Sequence, residues 1–280
     1  MKQRIITALI LAPLVIVGIF KLSLPLFVLA VAAVTVIGFW EWTQFVSASS
    51  RITALIPTLT ISAASLWLVP FDAFSLNQVQ NAHFVILAIG CLWWLVASGL
   101  AITYPKSSSL WQPSNWLRYG FGILTLLPFF WSVIMLRAEG IDGDAYHGAR
   151  LVLYVCLIVW AADSGAYFAG KSLGKRKMAP SVSPNKTIEG LVGGMITALI
   201  IGWATAQWFD IQFTSLWAMI VITLATVVIS VLGDLVESMF KRVAGIKDSS
   251  NIIPGHGGVL DRIDSLTAAF PVFAFLYFIF

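Results

Sequence analysis

The sequence predicts an all-α, polytopic integral membrane protein, and three observations predict it. Of 280 residues, 59% are hydrophobic and 11% charged, against about 25% charged in an ordinary soluble domain. The apolar residues fall into nine runs close to the roughly 20 residues that a spanning helix needs. Lysine and arginine gather between alternate runs, as they do on the inner side of membrane proteins. A mean hydropathy of +0.90, with 12 Trp and 19 Phe, extends the reading to the whole chain rather than to a single anchor.

The nine runs are Ile5–Phe20, Leu22–Trp42, Ile52–Val69, His83–Thr103, Leu117–Leu136, Ala149–Gly170, Ile188–Phe209, Thr214–Phe240 and Arg262–Phe280. The first follows Met1-Lys2-Gln3-Arg4 and resembles a signal peptide. No small-x-small cleavage site comes after it and a second run begins at once, so it reads as an uncleaved span. It is short and tightly joined to the next, and a hairpin that stops short of crossing is the alternative. With a cytoplasmic N-terminus, the inner segments hold Lys2, Arg4, Arg51, Lys106, Arg118, Lys171, Lys175, Arg176, Lys177, Lys186, Lys241, Arg242, Lys247 and Arg262. Only Lys21, Arg137 and Arg150 fall outside, and fourteen plus three accounts for all 17. The formal net charge of +4 therefore describes a basic inner face suited to anionic headgroups and nucleotide phosphates. It does not point to nucleic acid. Cys91 and Cys156 lie in separate apolar runs and read as small apolar filler, with neither a disulfide nor a zinc site between them. Residues 1–150 form an N-terminal transmembrane region of about five spans. Residues 151–280 form about four more, with inner loops 171–187 and 241–261 that carry nearly all the chemistry.

An ionisable group at bilayer depth costs about 2.5–3.5 kcal/mol on insertion scales, so it needs a partner or a purpose. Asp163 lies in the sixth run, and Asp234 and Glu237 lie near the end of the eighth. Glu189 opens the seventh, Asp261 and Asp264 open the ninth, and Asp248 sits in the loop before it. The topology brings these seven carboxylates to one depth at the inner face. Helical spacing sorts them further: Asp261 with Asp264, then Asp234 with Glu237, Ser238 and Lys241, then Asp163 with Tyr167 and Lys171. One reading pairs each acid with a nearby base. The other sets hard oxygen ligands around Mg²⁺, which takes one or two carboxylates together with substrate phosphates. Carboxylates held this close repel unless protonated or bridged by a cation, and the whole set favours the metal.

Two loops supply a phosphate-binding complement. Gly170 to Lys177 and Ser183-Pro-Asn-Lys186-Thr187-Ile-Glu189-Gly190 combine glycines, bases and a helix start at Pro184 and Thr187, a favourable setting for an anion. More specific is Ser238-Met-Phe-Lys241-Arg242, four residues, Lys247-Asp248, then Pro254-Gly-His256-Gly257-Gly258 and Asp261-Arg262-Ile-Asp264. This stretch resembles the signature of the phosphatidate cytidylyltransferase family, bacterial type, at every fixed position. Asp163 to Tyr167 and the Ser-Pro-Asn-Lys-Thr-x-Glu-Gly stretch are similar to the family as well. The likeness is close from about residue 160 to 265, and rests on length and hydropathy before that.

The resemblance implies transfer of the cytidylyl group of CTP to phosphatidic acid, giving CDP-diacylglycerol and pyrophosphate. It implies a multi-pass protein of the inner membrane with its site on the cytoplasmic side. Asp234, Asp261 and Asp264 are expected to hold Mg²⁺, with room for a second cation that need not be magnesium. Lys241, Arg242, Lys247 and Arg262 complete the expected catalytic set by neutralising phosphates. Asp163, Tyr167, Ser183, Lys186, Thr187, Glu189, Ser238, Asp248, His256, Gly257 and Gly258 are expected to bind substrate. His256 is read as a hydrogen-bond partner of phosphate or backbone rather than a base. Expected partners are CTP, phosphatidic acid and membrane lipids, with a homodimer as one arrangement.

A transporter would spread its acids across the membrane depth, whereas here they crowd one face beside a glycine-rich basic loop. The Asp-Gly-x-x-Ala-Arg motif of the CDP-alcohol phosphotransferases does not occur. A CTP-dependent lipid kinase would use similar parts and differs in releasing CDP rather than pyrophosphate.

Overall fold

The computed structural model describes residues 2–46, 50–69, 76 and 79–280. The side chains of Lys2 and Arg4, counted above on the inner side, lie outside what it describes. Helices follow the apolar runs in order: α1 Lys2–Lys21, α2 Leu24–Trp42, α3 Arg51–Leu68, α4 Asn81–Ile102, a single turn α5 Ser108–Trp111, α6 Asn115–Ala138, α7 His147–Leu173, α8 Ile188–Phe209, α9 Leu216–Ala244 and α10 Leu260–Ile279. Among the described residues, eight of these are long and apolar enough to cross a membrane. The ninth, α1, has only the shorter apolar stretch Leu9–Lys21, in keeping with the short first span expected. The protein is an all-α, polytopic integral membrane protein.

Helix α6 is the hub. Every residue from Thr125 to Ala138 is buried, as expected of a helix apolar all round and enclosed by neighbours. Helices α2, α3, α4, α7 and α10 pack against it. The outer ring turns apolar side chains outward, among them Leu9, Ile52, Leu92, Leu95 and Ile200, a surface that suits lipid and not water. Trp67, Trp208 and Trp217 are exposed at one end of the bundle, where α3 and α8 finish and α9 begins. Such rings sit at a membrane–water interface. The same end holds Arg137, whose guanidinium donates to Ile19 O at 3.0 Å and Leu22 O at 3.4 Å, and the Arg150–Asp144 ion pair. Two of the three bases assigned to the outer side, Arg137 and Arg150, thus bind carbonyls at the α1–α2 turn and an acid at the α6–α7 turn.

Helices α7 and α8 approach closely because small residues line their contact. A Cβ on Gly193 would fall 2.2 Å from Ala169 Cβ, and one on Gly165 would fall 2.3 Å from Thr197 Oγ1. Close backbone approach through such residues is the usual way for helices to associate in lipid. At the opposite end from the exposed tryptophans, Phe240 on α9 is enclosed by Trp42 at 4.9 Å, Trp111 at 4.9 Å and Phe45 at 5.7 Å between ring centroids. This cluster fixes the last turns of α9, and Lys241 follows it directly.

Three features of the inner segments differ from expectation. Helix α9 continues to Ala244, so Lys241 and Arg242 stand on its final turn rather than in the following loop. Its C-cap Gly245 has φ of 69°, a left-handed conformation that glycine adopts without the Cβ penalty. Helix α7 runs to Leu173 and carries Lys171. The loop 171–187 contains an antiparallel hairpin, β1 Lys177–Ala179 with β2 Ser183–Thr187, which places Pro184 in a strand rather than at a helix start, while Thr187 does cap the helix from Ile188. A short strand pair within a basic, glycine-bearing segment has no period-2 signal long enough to read.

Replacing Gly193 by Leu should force α7 and α8 apart. Overpacking of this kind costs about 1–3 kcal/mol, so the thermal midpoint in detergent should drop, with Gly99→Leu, which meets nothing within 4 Å of its Cβ, as the control.

Candidate active site

The end of the bundle beneath Phe240 collects the polar side chains. On α9, the i, i+4 spacing sets Ser238 Oγ 3.2 Å from Asp234 Oδ1 and Lys241 Nζ 3.2 Å from Glu237 Oε2. The ammonium of Lys241 also lies 2.9 Å from Asp261 Oδ1 on α10, so one base bridges two helices. Lys186, at the end of β2, reaches over α9 to place Nζ 2.6 Å from Asp234 Oδ2 and 3.1 Å from Val231 O. Arg242 Nε donates to Val182 O at 3.2 Å. The hairpin is thereby fastened across α9 at both its turn and its end.

Asp261 is buried and fully engaged. Beyond Lys241, its Oδ2 accepts from Ser249 N at 2.8 Å, Ser249 Oγ at 2.9 Å and Gly258 N at 2.7 Å. Hydrogen bonds to an ionised acceptor are roughly twice as strong as neutral ones, and here they draw the loop 249–258 down onto the start of α10. Gly257 has φ of +84°, and a Cβ there would meet Asp261 Oδ2 at 2.6 Å. Gly258 would meet Ser249 Oγ at 2.1 Å and Glu41 Oε1 at 2.5 Å. The paired glycines are therefore required by two carboxylates that lie against their backbone.

Asp264, one turn on, faces a different set. Its Oδ1 accepts from Ser265 N at 2.7 Å, and Glu237 and Asp234 are its close electrostatic neighbours. Asp163 on α7 is a close electrostatic neighbour of Lys186 and Asp234. Glu237 Oε1 is buried and has no hydrogen-bond partner among the described residues. Counting Asp163, Asp234, Glu237, Asp261 and Asp264 against Lys186 and Lys241 leaves five carboxylates to two ammonium groups, an excess of three negative charges if all are ionised. Carboxylates in that position need a proton or a cation between them.

The expected sites are thus brought together in part. Asp163, Asp234, Glu237, Asp261, Asp264, Ser238, Lys186 and Lys241 form one cluster contributed by α7, β2, α9 and α10. Glu189 lies apart from it. Its carboxylate accepts from Lys175 N at 3.0 Å, Arg176 N at 3.1 Å and Arg176 Nε at 3.0 Å, which shapes the turn into the hairpin. Thr187 caps α8 by accepting from Gly190 N at 3.1 Å, and Ile188 N donates to Arg176 O at 2.9 Å. Two of the amides that the sequence suggested for a phosphate are therefore already bonded. Ser183 pairs with Ala179 in the hairpin. Tyr167 is exposed on α7, with Lys171 Nζ 5.8 Å from its ring centroid. Lys247, Asp248 and Arg262 are exposed around the rim. His256 N donates to Ile253 O at 2.9 Å within the loop turn, and its Nδ1 is buried with no hydrogen-bond partner among the described residues.

Among the described residues, no three His, Cys, Asp or Glu side chains converge as a formed metal site. The donor chemistry nevertheless fits a hard divalent ion: oxygen ligands, surplus negative charge and an orphaned Glu237 Oε1. Asp234, Glu237 and Asp264 have the ligand capacity. Asp261, grouped with Asp234 and Asp264 by the sequence, has its lone pairs committed to Ser249, Gly258 and Lys241, and would join only by releasing Lys241.

One residue escaped the sequence reading. Glu41, near the end of α2, is fully buried and accepts from Ser249 Oγ, Ser250 Oγ, Val259 N and Leu260 N. The signal was present: a carboxylate inside an apolar run is costly wherever it occurs.

Fold and site together define an integral membrane protein with a cluster of carboxylates and lysines at one end of its helix bundle. A cytidylyltransferase family model matches residues 2–280. Proteins named phosphatidate cytidylyltransferase resemble the chain along its length. The one from Haemophilus influenzae is 45% identical over 99% of this chain and 99% of its own. That from Pseudomonas aeruginosa is 41% identical over 99% and 96%, and that from Bacillus subtilis 33% over 100% and 97%. The chain belongs to the cytidylyltransferase family.

Gly258→Ala should displace Glu41 and Ser249 from the loop. The expected result is a folded protein, by helical circular dichroism, whose cytidylyl transfer from CTP is reduced at least about tenfold, since a misplacement of 1 Å can cost on the order of 100-fold.

Proposed function

We propose that this protein transfers the cytidylyl group of CTP to phosphatidic acid, forming CDP-diacylglycerol and releasing pyrophosphate. The observation that carries the reading is the surplus of carboxylates from three helices beneath a glycine-rich loop rimmed by Lys247, Arg242 and Arg262. Family membership along the whole chain supports it, as do the names of the relatives.

In the reaction, an oxygen of the lipid phosphate attacks the α-phosphorus of CTP. A new phosphoanhydride bond forms, the bond to the β-phosphate breaks, and its electron pair leaves with pyrophosphate. A phosphomonoester has a second pKa of about 6, so the nucleophile is largely dianionic at neutral pH. A strong general base is then unnecessary, and positioning with charge stabilisation remains. Asp234, Glu237 and Asp264 would hold Mg²⁺. Bound there, the ion supplies Lewis-acid stabilisation of the triphosphate charge. Lys241 and Lys186 neutralise carboxylates in the absence of nucleotide and offer their ammonium groups to phosphate oxygens in its presence. Lys247, Arg242 and Arg262 take the outer phosphates. Ser249 and the glycine pair hold the loop at the distance that lets these groups meet.

The site belongs on the cytoplasmic face of a bacterial inner membrane. That reading rests on the fourteen bases assigned to this end of the spans, on the aromatic ring at the other, and on the cytosolic supply of CTP.

Purified protein given labelled CTP, phosphatidic acid and Mg²⁺ should move label into a chloroform-soluble product and release pyrophosphate rather than CDP. Release of CDP would instead mean attack at the γ-phosphate. Chelation with EDTA should abolish turnover, and added Mg²⁺ should restore it.

Asp264→Asn and Asp234→Asn should lower kcat by on the order of 100-fold or more, as expected for loss of a charge-stabilising group, while His256→Gln should keep measurable activity. Equal loss in all three folded variants would overturn these roles. The rate should fall as pH drops through about 6, where the lipid phosphate gains its second proton.

A further inference from the structure

The signature loop is closed by a carboxylate that lies outside the signature. Glu41 sits on α2, fully buried, and is separated from its partners by more than 200 residues of chain. Its Oε1 accepts from Ser250 Oγ at 2.5 Å and Val259 N at 2.9 Å. Its Oε2 accepts from Ser249 Oγ at 3.1 Å and Leu260 N at 2.5 Å. Two of these donors begin the loop and two end it, so a single side chain ties both ends together. No Lys or Arg pairs with Glu41 among the described residues. Its charge is met by hydroxyl and amide dipoles and by the positive end of α10.

A local Ser or Asp would cap α10 equally well, so capping alone does not account for a distant glutamate. The geometry does. The capped segment delivers Asp261 to Lys241 and, one turn later, Asp264 to Glu237. Ser249 Oγ lies within hydrogen-bonding distance of both Glu41 Oε2 and Asp261 Oδ2. It has one hydrogen to give, so the two carboxylates compete for it and their positions are linked. Gly258 has no side chain because Glu41 Oε1 occupies that space.

We propose that Glu41 is a positioning residue for cytidylyl transfer: clamping residues 249–260 to α2, it sets the placement of Asp261 and Asp264 without touching substrate. The proposal rests on the reaction assigned above.

The test uses full-length protein in detergent and the variant Glu41→Gln, which keeps shape but offers one acceptor oxygen in place of two. Losing the partner of a buried donor costs about 1–3 kcal/mol. Turnover of CTP should accordingly fall about 5- to 100-fold, chiefly in kcat, with KM for CTP changed less. Hydrogen exchange at the amides of Val259 and Leu260 should accelerate about as much, with α6 and α7 unchanged. Ser250→Ala, a milder lesion, should move both readouts in the same direction and serves if Glu41→Gln does not fold. Full kcat in either folded variant would overturn the proposal, as would exchange that accelerates throughout the protein. A wild-type protein without CTP turnover would sink the reaction assignment instead, while local exchange in Glu41→Gln would still support the clamp.

Discussion

A carboxylate at bilayer depth cannot be left bare, and the structure around residues 245–264 follows from that constraint. Five acids and Glu41 are drawn to one end of the bundle, and each is answered differently. Glu41 and Asp261 are satisfied by amide and hydroxyl donors and hold backbone in place. Asp234 and one oxygen of Glu237 are answered by lysines. Asp163 and Asp264 have Lys186 and Lys241 only as electrostatic neighbours, without an ion pair among the described residues, and Glu237 Oε1 has no hydrogen-bond partner there. The first group is structural in its chemistry, and the last is where charge remains for a ligand to meet. Function concentrates where satisfaction is incomplete.

Lys186 and Lys241 connect these roles. Each lies on a carboxylate that could otherwise bind a cation, and each is long enough to turn toward a phosphate. A site of this kind can be electrostatically tolerable without its substrates and become competent as they enter. Both lysines are held from outside the acid cluster. Lys241 follows the aromatic enclosure of Phe240, and Lys186 is carried by a hairpin that Arg242 pins at Val182. Packing among aromatic rings therefore sets the geometry of ion pairs several ångströms away.

The division between an N-terminal half of plain spans and a C-terminal half with the chemistry is a fair description of composition, but the site draws on both. Glu41 on α2 and Trp94 on α4, whose indole donates to Thr267 O at 3.0 Å, both grip α10. The early helices place the last one.

The amino-acid sequence by itself determined the helical, membrane-embedded architecture, the short first span, the gathering of basic residues between alternate spans, and the family. These depend on composition, run length and local spacing, which folding does not rearrange. It also announced the acids, because charge in an apolar run is costly in any fold. Tertiary structure alone decided which acids share a cluster, that Asp261 spends its lone pairs on Ser249, Gly258 and Lys241 while Asp264 does not, and that Glu189 serves the hairpin. It also brought Glu41 across more than 200 residues to close the loop. Hydrogen bonds act over about 3 Å, and which donors come within that distance depends on how separate helices pack.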